Sequence, residues 1–301
     1  QLWASLERFR ARPDWLQIWP GHGAGSACGK GISAIPHSTL GYEKKFNWAF
    51  ACRTEGEFVD QVLAGQPDPP RYFAEMKRLN KTGPRVLGGF SRPAELGLAD
   101  LQARLAAGAV VVDIRSAAEF ALGAVPGTLN VPMNGSFTTW MGWYMPYTAD
   151  FFLIGDTAVV DTAVRDLAMI GLERIGGRYA PSIVAEWAAA SDRPLQQVPQ
   201  ITANDLQASL EHGAVTLVDV RNANEWAEGH IPGAIHVPLG RLAERLAEVP
   251  RERPVVMQCA GGARSMIGAS ILKAHGVDRV VNLAGGFNEW ARGGRAVERD
   301  A

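Results

Sequence analysis

The stretch Pro254-Val255-Val256-Met257-Gln258-Cys259-Ala260-Gly261-Gly262-Ala263-Arg264-Ser265 decides how this chain is read. Pro254 to Gln258 is a short apolar run of the kind that forms a buried parallel strand. Ser265 to His275 reads as a helix stopped by Gly276. Between them, a glycine-containing turn carries a cysteine at the strand's carboxyl end, where open α/β sheets place their ligands. Successive backbone N–H groups in such a turn form an anion nest, and the helix N-terminus adds partial positive charge. This setting favours the thiolate, the nucleophilic form of cysteine. Cys259 is therefore expected to be a nucleophile, with Arg264 completing a ring of donors around its sulfur. Ala260, Gly261, Gly262 and Ala263 are expected to cradle a substrate. Ser265 is expected either to cap the helix or to donate a hydrogen bond to the sulfur.

Working outward, the region before this loop has a counterpart earlier in the chain. Asp100-Leu101-Gln102-Ala103-Arg104-Leu105 matches Asp205-Leu206-Gln207-Ala208-Ser209-Leu210. Asp113-Ile114-Arg115 pairs with Asp219-Val220-Arg221, Glu119-Phe120 with Glu225-Trp226, and Val125-Pro126-Gly127 with Ile231-Pro232-Gly233. The chain thus carries two copies of one α/β unit, each about 95–100 residues long, a usual size for a small domain. Each begins with an amphipathic helix ended by glycine, followed by a β-branched run closing on aspartate. In the second copy, the leucines at 242 and 246 predict a helix over 239–249, and Arg279 to Leu283 predicts a further strand. Strands alternating with helices predict a parallel sheet covered on both faces. Ser191 to Gln200, with two prolines, reads as the linker. The Asp-Arg pairs recur in both copies, which suits a buried ion pair or loop brace better than chemistry. Glu225 and Glu119 take the same scaffolding reading. The aromatic stretch from Phe137 to Phe152 reads as core plus domain interface.

Composition narrows the function. Of 301 residues, 47% are hydrophobic and 20% charged, and the net charge is −1. No electrostatic argument favours nucleic acid or an anionic membrane, and no apolar run reaches the roughly 18–20 residues that span a bilayer. Three cysteines (Cys28, Cys52 and Cys259) are too few and scattered for a disulfide framework, so a reducing cytoplasm is expected. No signal peptide is in view.

The second copy resembles rhodanese sulfurtransferases. The residues carrying the resemblance are Asp219-Val220-Arg221, Glu225-Trp226, Gly229 to Ala234, the Cys259 to Ser265 loop, and Gly285-Gly286-Phe287 before Trp290. The first copy is similar to a rhodanese domain without an active site: Phe151 to Gly155 stands for the strand before the nucleophile, Asp156 for the cysteine. Residues 1–94 resemble the C-terminal part of the metallo-β-lactamase fold of glyoxalase-II-like and persulfide-dioxygenase-like proteins, through Pro20 to Ser26 and Thr39 to Lys44. Fusions of that fold to rhodanese domains occur in sulfide oxidation, and the domain order here is similar.

The resemblance implies an α/β protein with two rhodanese-like parallel-sheet domains, preceded by a partial metallo-β-lactamase-like αββα segment. Its expected parts are residues 1–94, an inactive rhodanese-like domain over 95–190, and an active one over 198–296. It implies a sulfurtransferase passing sulfane sulfur from a persulfide, polysulfide or thiosulfate to a thiol, sulfite or cyanide through a Cys259 persulfide. The alternative is a sulfur carrier or docking module for a metallo-β-lactamase-fold partner. Cysteine-dependent phosphatases share the strand–loop–helix logic, but their pattern has five residues between Cys and Arg where this loop has four. Sulfur transfer needs no cofactor. A complete N-terminal domain would imply Fe or Zn with His22 as a ligand, but the family's His-x-His-x-Asp-His cluster has no counterpart here, and the front of that domain is expected to be absent. Small persulfides, thiosulfate and thiols are the expected partners, without nucleic acid or membrane, and homo-oligomerisation stays open.

Overall fold

Alternating helical and β-branched segments give the alternating elements expected of them. The structure, a computed structural model, describes residues 1–21, 36–64 and 69–299, in two units, Gln1–Gln66 and Pro67–Ala301. The first unit holds α1 (Leu2–Arg10), β1 (Gln17–Ile18), β2 (Ser38–Thr39), α2 (Leu40–Phe46), α3 (Trp48–Ala51) and α4 (Glu55–Leu63). β1 and β2 pair antiparallel. Leu40, Phe50, Cys52 and Phe58 form its small buried centre, with the rings of Trp3 and Trp48 against Phe58. Thr54 and Glu57 start α4 with a capping box, which satisfies two otherwise orphaned amides.

The second unit opens with α5 (Arg71–Thr82). Its first sheet region holds α6 (Leu98–Ala106), β3 (Val110–Asp113), α7 (Ala117–Leu122), β4 (Leu129–Asn130), α8 (Phe137–Tyr144), β5 (Phe151–Ile154), α9 (Thr157–Ala168), β6 (Ile175–Tyr179) and α10 (Ile183–Ala190). The second holds β7 (Gln200–Ile201), α11 (Ala203–Glu211), β8 (Thr216–Asp219), α12 (Ala223–Glu228), β9 (Ile235–His236), β10 (Val255–Gln258), α13 (Ala263–Ala274), β11 (Val280–Leu283) and α14 (Gly286–Arg292). The two sheets run β4-β3-β5-β6 and β7-β11-β10-β8-β9, all pairs parallel. Apart from the extra edge strand β7, the strand order of one repeats in the other.

Both copies carry the same brace. Arg221 Nη2 lies 2.7 Å from Asp219 Oδ2 and donates to the Gly229 carbonyl at 2.8 Å, with both side chains buried. Arg115 repeats this with Asp113 at 2.6 Å and the Gly123 carbonyl at 3.1 Å. The pair fastens the end of an inner strand, β8 or β3, to the glycine that closes the next helix. A buried pair of this kind is costly to break on one side, because the survivor is left as an uncompensated charge.

α13 explains how the copies join. Every residue from Ser265 to Leu272 is buried, as expected of a helix covered on all sides. One apolar cluster runs from Val112 and Leu153 through Met266, Ile271 and Leu272 to Val218 and Met257. Ser270 Oγ accepts a hydrogen bond from the Asn130 backbone at 2.9 Å, and the Tyr144 hydroxyl donates to the Leu239 carbonyl. Phe137, Trp143, Phe151 and Phe152 of the aromatic stretch are buried.

One predicted element differs. Residues 239–249 form two three-residue 3-10 turns, Leu239–Arg241 and Leu246–Glu248, instead of a helix. The backbone of Leu239 serves the surroundings: its N–H donates to Val220 at 3.0 Å while its carbonyl takes the Tyr144 hydroxyl. The leucine spacing reported a buried face, and 3-10 turns can present one as well.

Arg221→Ala should lose about 3–5 kcal/mol in urea unfolding, because Asp219 stays buried and unpaired. A loss below about 1 kcal/mol would contradict the brace.

Candidate active site

Cys259 follows β10 directly, and its side chain is only 1% exposed. Its Sγ accepts the Gly262 N–H at 3.1 Å and the Ser265 hydroxyl at 3.4 Å. Gly262 turns its amide inward through a left-handed conformation, φ 98°, that side-chain-bearing residues rarely adopt. α13 begins at Ala263 with Gly262 as its N-cap, so Ser265 lies inside the helix and serves the sulfur instead of the cap. The sulfur is therefore buried yet hydrogen-bonded, with the positive end of α13 behind it.

A second piece of backbone closes over the loop. The Phe287 N–H donates to the Cys259 carbonyl at 2.7 Å, and the Asn288 N–H to the Ala260 carbonyl at 3.0 Å. Gly286 makes this approach possible: a Cβ there would stand 2.1 Å from the Cys259 carbonyl oxygen. The Arg221 guanidinium lies 4.0 Å from the centroid of the Phe287 ring, which links the brace to the closing segment. Asn282 Nδ2 donates to Gly262 O at 3.3 Å from the other side. Next to the loop is a cleft of about 780 Å³ lined by Gly261, Gly262, Ala263, Asn282 and, from the first copy, Ala121 and Leu122.

Arg264 departs from expectation. Its Nη1 and Nη2 each donate at 2.6 Å to a carboxylate oxygen of Glu225, a fork-on-fork pair, and no hydrogen bond from it to the sulfur occurs among the described residues. The hydrogen bonds to Sγ come from Gly262 and Ser265, while the guanidinium of Arg264 is turned to Glu225. Burial pushes the Glu225 carboxyl up, but the Arg264 hydrogen bonds and charge, the Asn222 amide and the Arg221 charge together outweigh it and hold the group below its usual range. The hydrogen bonds to Glu225, with the neighbouring Cys259 and Asp219, keep the Arg264 guanidinium above its own range against burial. The scaffolding reading of Glu225 missed this partnership. Glu119 in the first copy caps Ser116 just as Glu225 caps Asn222, so the recurrence of the glutamate hid its second role. The signal available was that only the second copy supplies an arginine at the end of the loop.

The first copy has no comparable loop. Asp113 pairs with Ile154 as Asp219 pairs with Gln258, so the residue opposite Cys259 is Gly155, one position before the expected Asp156. Asp156 is the N-cap of α9, and Gly155 with Asp156 replaces the four residues Cys259 to Gly262. His230 and His236 both stack on Trp226, at centroid distances of 3.7 and 4.6 Å. His236 Nε2 lies 2.9 Å from the Arg221 carbonyl, where Asn130 meets the Arg115 carbonyl in the first copy. Cys52 is buried in the first unit, its Sγ 3.5 Å from the Trp48 carbonyl. His22 and Cys28 lie outside the described residues. Among the described residues, no group of three or more His, Cys, Asp or Glu side chains is arranged to hold a metal ion. No described helix is long and apolar enough to cross a membrane.

Residues 202–292 match the family described as the Rhodanese-like domain. A sulfurtransferase of Allochromatium vinosum is 44% identical over 83 residues, 28% of this chain and 78% of that protein. The thiosulfate sulfurtransferase GlpE of Actinobacillus pleuropneumoniae serotype 7 is 32% identical over 99 residues, 33% of this chain and 92% of that protein. The chain belongs to the rhodanese family. A solved metallo-β-lactamase from Staphylococcus aureus subsp. aureus COL is 38% identical with a TM-score of 0.51, covering 60% of this chain and 49% of that one. The chain therefore spans about half of that metallo-β-lactamase, to which its N-terminal part is similar.

Gly286→Ala should cost at least about 2 kcal/mol and slow alkylation of Cys259, because backbone must move apart. An unchanged unfolding midpoint and alkylation rate would contradict the close approach. Glu225 is held low in the folded state, so its pairing stabilises above the ordinary glutamate range and is lost as pH falls through the folded value. The stability gap between wild type and Glu225→Gln should thus be largest near pH 7 and shrink below about pH 4. A flat gap from pH 7 to 3 would contradict it.

Proposed function

We propose that this protein is a rhodanese-type sulfurtransferase working through a persulfide on Cys259. The observation that carries the reading is the Gly262 amide and Ser265 hydroxyl directed at a buried Sγ at the head of α13. The Cys259 thiolate attacks the outer sulfur of a donor R–S–S⁻; the donor's S–S bond breaks, RS⁻ leaves and Cys259 becomes a persulfide. An acceptor thiolate, sulfite or cyanide then takes the outer sulfur and regenerates the Cys259 thiolate. The sulfane sulfur changes hands without an external oxidant or reductant, and ping-pong kinetics follow. Loop amides between Cys259 and Arg264 would stabilise the outer sulfur's charge.

The donor is a persulfide, polysulfide or thiosulfate; the small neutral loop with Arg264 as its one cation favours a persulfide or polysulfide over the thiosulfate dianion. Residues 198–296 form the active domain in this reading and 95–190 an inactive rhodanese-like copy, whose strand β5 passes to α9 without a nucleophile loop. Residues 1–94 are read as the C-terminal part of a metallo-β-lactamase-like domain, and sulfide or persulfide metabolism in the cytoplasm as the setting.

A second reading, a sulfur carrier or docking module for a metallo-β-lactamase-fold persulfide dioxygenase or hydrolase, is favoured by one observation. Trp15 and Trp19 of the first unit are 77% and 67% exposed, large apolar surface of the kind that marks interaction sites.

Intact mass after treatment with an alkyl persulfide should rise by one sulfur atom in the wild type and stay unchanged in Cys259→Ala. Multiple turnover with a thiol acceptor supports the enzyme, and loading without turnover supports the carrier. No gain in wild-type mass would contradict both.

A further inference from the structure

We propose that Glu225 sets the choice of donor: by neutralising Arg264 it tunes the Cys259 site toward monoanionic persulfides and against dianionic thiosulfate. The inference rests on the sulfur-transfer reading above and deepens it. Arg264 is the only cationic side chain in the loop from Cys259 to Ser265, and both of its terminal nitrogens are engaged by Glu225 at 2.6 Å. The other guanidinium nearby, Arg221, is already matched by Asp219 at 2.7 Å. These four groups form two closed ion pairs, so their formal charges cancel beside the sulfur. A monoanion can be held by amide dipoles and a helix end. A dianion gains much more from an uncompensated cation, because Coulomb attraction scales with its charge.

Glu225 cannot readily turn away. It is the third residue of α12, and its Oε2 accepts the Asn222 N–H at 3.2 Å while also accepting from Arg264 Nη1. The capping box thus anchors the carboxylate in the orientation that meets the guanidinium. His230 and His236 stack on Trp226, the next residue along, and their ring nitrogens face the Trp226 and Arg221 carbonyls. Glu225 is a positioning residue in this account: it acts on the donor through Arg264. Glutamine at 225 keeps the side-chain length and the acceptor oxygen a capping box needs, and removes only the charge.

The test compares wild type, Glu225→Gln, Arg264→Gln and the double variant, in steady state, with thiosulfate and with 2-hydroxyethyl persulfide as donors and one common acceptor. Glu225→Gln should raise kcat/KM for thiosulfate by about tenfold or more, mostly through KM, and change the persulfide value by less than about threefold. The gain should vanish in the double variant, since it requires the freed guanidinium. Equal changes for both donors, or a thiosulfate gain that survives loss of Arg264, would overturn the assignment and leave Glu225 as scaffold. A wild type that transfers sulfur from neither donor and gains no mass would instead overturn the sulfur-transfer reading itself.

Discussion

Two stretches of backbone meet at Cys259 with no room for a side chain between them. The Phe287 amide reaches the Cys259 carbonyl at 2.7 Å only because residue 286 is glycine. That contact holds the strand end, the loop and the start of α14 as one piece. With the peptide of Cys259 fixed from one side and Gly262 turned inward on the other, the sulfur meets donors that are already oriented. Such preorganisation is the usual source of electrostatic stabilisation in active sites, since no dipole has to turn during reaction. A buried thiol in an apolar cluster would otherwise be an inert packing residue.

The first copy contributes by packing. Its sheet shares the strand order and the Asp–Arg brace of the second, yet β5 passes to α9 through Gly155 and Asp156 alone. What it supplies is the far side of α13, with Asn130 bound to Ser270 and Tyr144 to Leu239. The helix that presents its positive end to Cys259 is thereby enclosed from Ser265 to Leu272, and α7 lines the cleft beside the loop. A helix so held has little freedom to tilt, so the donors at its head keep their places.

Much of this was legible in the sequence because it rests on local pattern. The β-branched run ending in aspartate, the leucines ended by glycine and the cysteine in a glycine turn each have a short-range physical cause. The structure differs from that reading where partners come from a distance. Arg264 finds Glu225, which precedes it by 39 residues, and no spacing within the loop could announce that pair. Leu239 is drawn to Tyr144 of the other copy, which a helical leucine pattern cannot register. The counterpart of Cys259 shifted from Asp156 to Gly155 because register is set by strand pairing, and a one-residue slip is invisible without a partner strand. The two-residue strand β7 lay within and just beyond a segment that reads as linker, since so short an edge strand has no period to detect.

The most direct measurement is a crystal structure of the protein after reaction with a sulfane donor. The account predicts one extra sulfur bonded to Cys259 Sγ, within hydrogen-bonding distance of backbone N–H groups between Ala260 and Arg264. An unmodified Cys259, or an added sulfur on another cysteine with those amides directed elsewhere, would contradict it.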